Sequence, residues 1–124
     1  MDNNIEELDV GESLADATLV SYSYSSECNV LTVNVQLYNL QTLIISFHDV
    51  IQIIDDGAYD LSNIIQNKSS PIFFTERIKR CYVILPDVVP YKLYQFLDLV
   101  NNPSMSVICG KIDWNLNPLN QTAG

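Results

Sequence analysis

Val30-Leu31-Thr32-Val33-Asn34-Val35-Gln36-Leu37-Tyr38 alternates without a break: Leu31, Val33, Val35 and Leu37 fall on one side, Thr32, Asn34 and Gln36 on the other. Successive side chains leave a strand on opposite faces, so period two with apolar residues on one side is a half-buried strand. The β-branched residues strengthen the reading. Working outward, Ser26-Glu27-Cys28-Asn29 is a turn, and before it Ala15 to Ser25 sets Val20, Tyr22 and Tyr24 against Ser21, Ser23 and Ser25. After it, Asn39-Leu40-Gln41 turns into Thr42 to His48, where Leu43, Ile45 and Phe47 share a face. Three strands with tight connections predict an antiparallel meander.

The rest follows from that centre. Val50 to Ile54 is a short apolar run closed by Asp55-Asp56-Gly57, a strong turn signal. Leu61 to Ile65 fits either a strand or a short helix capped by Asp60. Ile72 to Thr75 and Ile78 to Leu85 read as strands, with Pro86 and Pro90 bracketing a loop or sheet edge. Tyr91 to Val100 carries Leu93, Phe96, Leu97 and Val100 at helical spacing, yet Tyr94, Phe96 and Val100 also suit a strand, and strand is the reading adopted. Met105 to Trp114 is the last strand. The expected fold is mainly β: an antiparallel sandwich or strongly twisted sheet of six to eight strands, with at most one or two short helices. Residues 1–13 are expected as an acidic flexible tail, 14–118 as one β-rich domain and 119–124 as a disordered end.

Charge is distributed unevenly. Residues 1–67 hold eleven carboxylates and no Lys or Arg, a charge of -11; residues 68–124 hold all six basic residues and four acids, a charge of +2. A net charge of -9 disfavours a nucleic-acid surface, since that affinity comes from Lys and Arg displacing counterions. It suits a basic protein partner, for which opposite charge speeds encounter. Outside the tail, the candidate contacts are Asp16, Glu27, Asp49, Asp55, Asp56 and Asp60, mostly at turns. They form a patch only if those turns meet at one end of the sheet. Arg77, Lys79 and Arg80 are the basic candidates, either as a partner contact or as a solvated strand face. The tyrosines read mainly as cross-strand partners.

Chemical motifs are sparse. Cys28, Cys81 and Cys109 are too few and too scattered for a disulfide framework or a paired-cysteine metal site; Cys81 and Cys109 are expected in the core. His48 is the sole histidine, and its neighbour Asp49 would point to the opposite face of a strand, away from the ring. Asp55-Asp56-Gly57-Ala58-Tyr59-Asp60 lacks the spacing and closing Glu of a calcium loop. No cofactor or metal is expected. Met1-Asp2-Asn3-Asn4-Ile5-Glu6-Glu7 has no basic region or apolar stretch, and no run nears the roughly 18 apolar residues that span a bilayer. A cytoplasmic chain with no membrane partner is the expectation.

Leu14-Ala15-Asp16-Ala17-Thr18-Leu19, with Leu31-Thr32-Val33 and Leu43-Ile44-Ile45-Ser46-Phe47, resembles a group of small bacterial β-rich proteins, some of them immunity-like. The likeness covers residues 14–54 and transfers no functional residue. It implies a non-enzymatic protein-binding module, in its sharpest form an inhibitor that neutralises a basic partner. The alternatives are a self-associating assembly subunit, with Arg77, Lys79 and Arg80 of one copy meeting carboxylates of another, and a small enzyme using His48 or a cysteine.

Overall fold

The computed structural model describes residues 4–57 and 59–117. The disorder expected at 119–124, and the end of the domain at residue 118, lie outside the described residues. In chain order the elements are β1 (Ile5–Glu7), β2 (Ala17–Ser25), β3 (Val30–Gln36), β4 (Thr42–His48), β5 (Gln52–Asp55), β6 (Asp60–Leu61) and β7 (Asn63–Asn67). They continue as α1 (Ile72–Lys79), β8 (Lys92–Leu97), β9 (Pro103–Cys109) and β10 (Lys111–Asn117). The strands form two five-stranded sheets, β1-β7-β8-β9-β5 and β10-β4-β3-β2-β6, antiparallel at every pairing. The mainly-β antiparallel fold is thus as the alternation predicts. Ten segments are present, but β1 and β6 are only three and two residues long, too short to leave a pattern in the sequence.

The meander β2-β3-β4 sets the core. Leu31 lies opposite Phe47, Val33 opposite Ile45 and Val35 opposite Leu43, and all six side chains are buried. They pack against Tyr94, Phe96, Met105, Val107 and Cys109 of the facing sheet. Phe47 meets Tyr94 and Phe96 with ring centroids 5.8 and 6.0 Å apart at tilted angles, the arrangement aromatic quadrupoles favour. A bulge between Leu19 and Ser21 changes the phase of β2. Leu19 points inward before it, and Tyr22 and Tyr24 lie opposite Val33 and Leu31 after it.

In the other sheet β8 and β9 are covered on both faces, which explains their nearly continuous burial. Tyr94 and Phe96 of β8 face the shared core, while Leu93, with Ile108 of β9, packs under Ile78 of α1. Gln95 shares the face of Leu93 and is buried. Its polar groups are satisfied by a ladder: Asn67 Nδ2 donates to Gln95 Oε1 at 2.9 Å, and Gln95 Nε2 donates to Ser106 Oγ at 3.1 Å. Double-sided burial resolves the two periodicities in Tyr91 to Val100, since Leu93 and Phe96 serve opposite faces of one strand.

Four expectations are corrected. Residues 5–7, read as tail, form β1 on β7, and Val10, also read as tail, is buried in the core. Their apolar residues were too widely spaced to show a period. Residues 72–79, read as strands, form α1: Pro71 leads in with extended backbone, Thr75 N–H bonds Pro71 O at 3.1 Å, and Ile78 is buried against the sheet. β-prone Ile72-Phe73-Phe74-Thr75 is overridden by that packing. Met105 to Trp114 is two strands in different sheets, joined at Gly110. A Cβ there would lie 3.1 Å from Asp49 Cβ, tighter than most carbon contacts, so any larger residue at the crossing would have to push the Asp49 side chain aside. Finally, Cys81 follows α1 on the surface and is exposed, whereas Cys109 is in the core as expected.

Candidate interaction surfaces

The six acidic candidates are all exposed, but the topology divides them. Asp16 precedes β2 and Asp60 pairs with Thr18 near its start, while Asp55 ends β5 opposite Met105 of β9 and Asp56 N–H bonds Ser104 O. Glu27 lies in the β2–β3 turn and Asp49 follows β4, at the opposite end, where Asp49 N–H bonds Asn29 O at 3.1 Å. The six therefore fall on separate turns and strand ends, with Asp16 and Asp60 near the start of β2, Asp55 and Asp56 on and after β5, and Glu27 and Asp49 after β2 and β4. Several have local work: Asp55 Oδ1 accepts from Gly57 N–H at 2.8 Å, and Asp55 Oδ2 accepts from Tyr22 Oη at 2.6 Å.

The basic triplet does not line a strand face. Arg77 turns back along α1, where its Nε–H donates to Ile51 O at 3.1 Å and its Nη1 to Cys81 Sγ at 3.4 Å. It holds the helix end to the sheet. Lys79 and Arg80 point outward at the C-terminal end of the helix, where positive charge suits the helix dipole. Beyond them, residues 81–90 form an irregular flap. Val83 is fully exposed, and Ile72, Ile84 and Val88 are each at least 80% exposed. Leu85 and Val89 come back over Phe74 and Ile78 to line an apolar notch of about 160 Å³. The sequence reading missed this flap because Tyr82-Val83-Ile84-Leu85 has strand composition. Pro86 and Pro90, read as bracketing a loop or sheet edge, do mark its second half; the strand expected to run on to Leu85 is the part that is corrected.

The sandwich is open at a second place. β1 and β10 are corresponding edges of the two sheets, and between them lies a slot of about 280 Å³ lined by Glu6, Glu7, Leu8, Asp9, Gln66, Tyr94, Ile112 and Trp114. Trp114 lies opposite buried Ile45 in register, hence on the inner face, yet is 40% exposed. Burial pushes the Tyr94 hydroxyl up to about 12, so it is a neutral lining group. Glu6 is held below the usual carboxylate range by its hydrogen bond and charge pairing with Lys68, 2.7 Å away. A neighbouring cleft of about 480 Å³ continues the acidic lining with Glu7, Asp9 and Glu12.

His48 is bound not to Asp49 but to Asp113 of β10, Nε2 to Oδ2 2.7 Å, on the exposed outer side of that sheet. The pair follows from register, since His48 opposes Lys111 two residues from Asp113. Cys109 is buried, and loss of solvation pushes its thiol up to about 12, the reverse of an activated nucleophile. Among the described residues no three His, Cys, Asp or Glu side chains gather as metal ligands, and no helix is long and apolar enough to cross a membrane. Comparison with family models, curated proteins and solved structures finds no match.

Proposed function

We propose that this chain is a non-enzymatic protein-binding module that docks through the α1 flap. The observation that carries the reading is the run of exposed aliphatic side chains Val83, Ile84, Leu85 and Val88, with Ile72 at the start of α1, in a stretch that also holds the exposed Lys79 and Arg80. Water-facing aliphatic side chains gathered within one short segment are characteristic of contact surfaces, where their burial drives association. Lys79 and Arg80 select a partner with carboxylates around an apolar seat. The immunity-like form of the proposal, an inhibitor that covers its target, draws on the resemblance of residues 14–54 and on the net charge of -9, which suits a target with basic surface elsewhere. Cytoplasmic action belongs to the same proposal.

The test is affinity capture followed by reconstitution with the purified captured protein. Val83→Ser/Ile84→Ser/Val88→Ser should weaken that complex at least tenfold, about 1.4 kcal/mol or more, while leaving the fold intact because all three positions are exposed. Equal affinity of the triple variant and the parent would refute docking through the flap.

A further inference from the structure

We infer that the slot between β1 and β10 takes an extended, basic segment of a partner protein, with a Lys or Arg head over Trp114 and beside Glu7 and Asp9. This is a second contact, lined by no residue of the flap, and three independent observations carry it.

The first is backbone. Among the described residues β10 is hydrogen-bonded only to β4, and β1 only to β7, so each presents an unpaired row of N–H and C=O groups. The seven residues of β10 are long enough to template an added strand. The second is shape. The inner-face side chains Tyr94, Ile112 and Trp114 floor a slot of about 280 Å³, which suits one or two side chains of a segment whose main chain runs along the edge.

The third is charge and its chemistry. Glu6 is engaged with Lys68, but Glu7 and Asp9 are exposed and carry no ion pair among the described residues. An indole face attracts a cation through its quadrupole, and the rim carboxylates of Glu7 and Asp9, the latter accepting from Gly11 N–H at 3.0 Å, add direct attraction. A neutral or acidic segment would leave those carboxylates uncompensated. The slot therefore discriminates by charge as well as by strand geometry.

The chain's single tryptophan supplies the probe, since its emission reports directly on the slot. The intact chain is titrated with Lys-Val-Lys-Val-Lys-Val-Lys, with its Glu-for-Lys counterpart, and with a peptide of equal positive charge whose Val residues are replaced by Pro. The expected result is a saturable Trp114 shift with the first peptide, none with the second, and at least tenfold weaker binding of the third, which cannot pair with an edge. Glu7→Gln/Asp9→Asn should weaken the first peptide at least tenfold, while Val83→Ser/Ile84→Ser/Val88→Ser should leave it unchanged, separating this contact from the flap. Equal response to the Val and Pro peptides would mean bulk charge alone and overturn the inference. So would no shift at all, or a shift that grows with protein concentration in the absence of peptide, which would make a second copy the occupant.

Discussion

Tyr22 and Asp55 join the two sheets: Tyr22 Oη of β2 donates to Asp55 Oδ2 of β5 at 2.6 Å. Since β5 is one edge of its sheet and β2 lies next to the edge of the other, this bond fastens one flank of the sandwich, opposite the open slot at β1 and β10. The sandwich is tied on one side and open on the other.

Tyr22→Phe should therefore cost about 0.5–1 kcal/mol, the lower part of the range for a hydrogen bond because this one is solvent-exposed. The adjacent carboxylate, as hydrogen-bond acceptor first, raises the Tyr22 pKa above its ordinary 10.0. A raised value means the folded state holds the proton more tightly, so the contribution is full below about pH 10 and lost as pH rises through the folded value. Denaturant titrations at pH 7 and pH 11 should show a difference between parent and Tyr22→Phe that shrinks at the higher pH.

Gly110→Ala should destabilise by about 1–3 kcal/mol through crowding against Asp49. The close neighbour is the Asp49 side chain, with Cβ at 3.1 Å and Oδ2 at 3.2 Å from an added Cβ. Asp49→Gly removes it, so the cost of Gly110→Ala should fall sharply in that background. A double-mutant cycle of unfolding free energies checks this; additive costs would place the strain elsewhere.

Thiol labelling should find two fast cysteines and one slow one. Cys28 and Cys81 are exposed, and Cys109 is buried with its pKa raised from 9.0 to about 12, chiefly by burial. Its third equivalent should appear only with unfolding. Because the folded value is the higher one, Cys109 supports the fold fully below pH 9, and that support is lost as pH climbs toward 12. Cys109→Ser should flatten this part of the pH profile, apart from any packing cost it adds at all pH values.

How far the sequence reveals the molecule depends on which faces its residues serve. β3 and β4 have one buried and one open face, and their alternation maps directly onto Leu31, Val33, Val35, Leu43, Ile45 and Phe47 in the core. β8 is buried on both faces, so its period is blurred toward that of a helix. α1 is the converse, a short helix of β-prone residues that forms because Ile78 has a sheet to cover. At Gly110 the alternation of Met105 to Trp114 continues without a break, so the sequence pattern does not mark where one expected strand becomes two. The interaction surfaces were less legible than the fold. The acidic candidates are spread over separate turns, since a meander sends successive turns to opposite ends: Asp16 and Asp60 lie near the start of β2, and Glu27 in the turn that follows it. The flap and Trp114 stand out only once it is known what lies next to them.

The most direct measurement is site-specific photo-crosslinking in the native cell from a photoreactive residue at position 84, with position 27 as the control. Ile84 and Glu27 are both exposed, but Ile84 is on the flap and Glu27 is in the β2–β3 turn. A docking flap predicts a discrete adduct from position 84 that unlabelled parent chain competes away and the Val83→Ser/Ile84→Ser/Val88→Ser chain does not. An adduct from position 27 alone, or one that the triple variant displaces as well as the parent, would contradict the account.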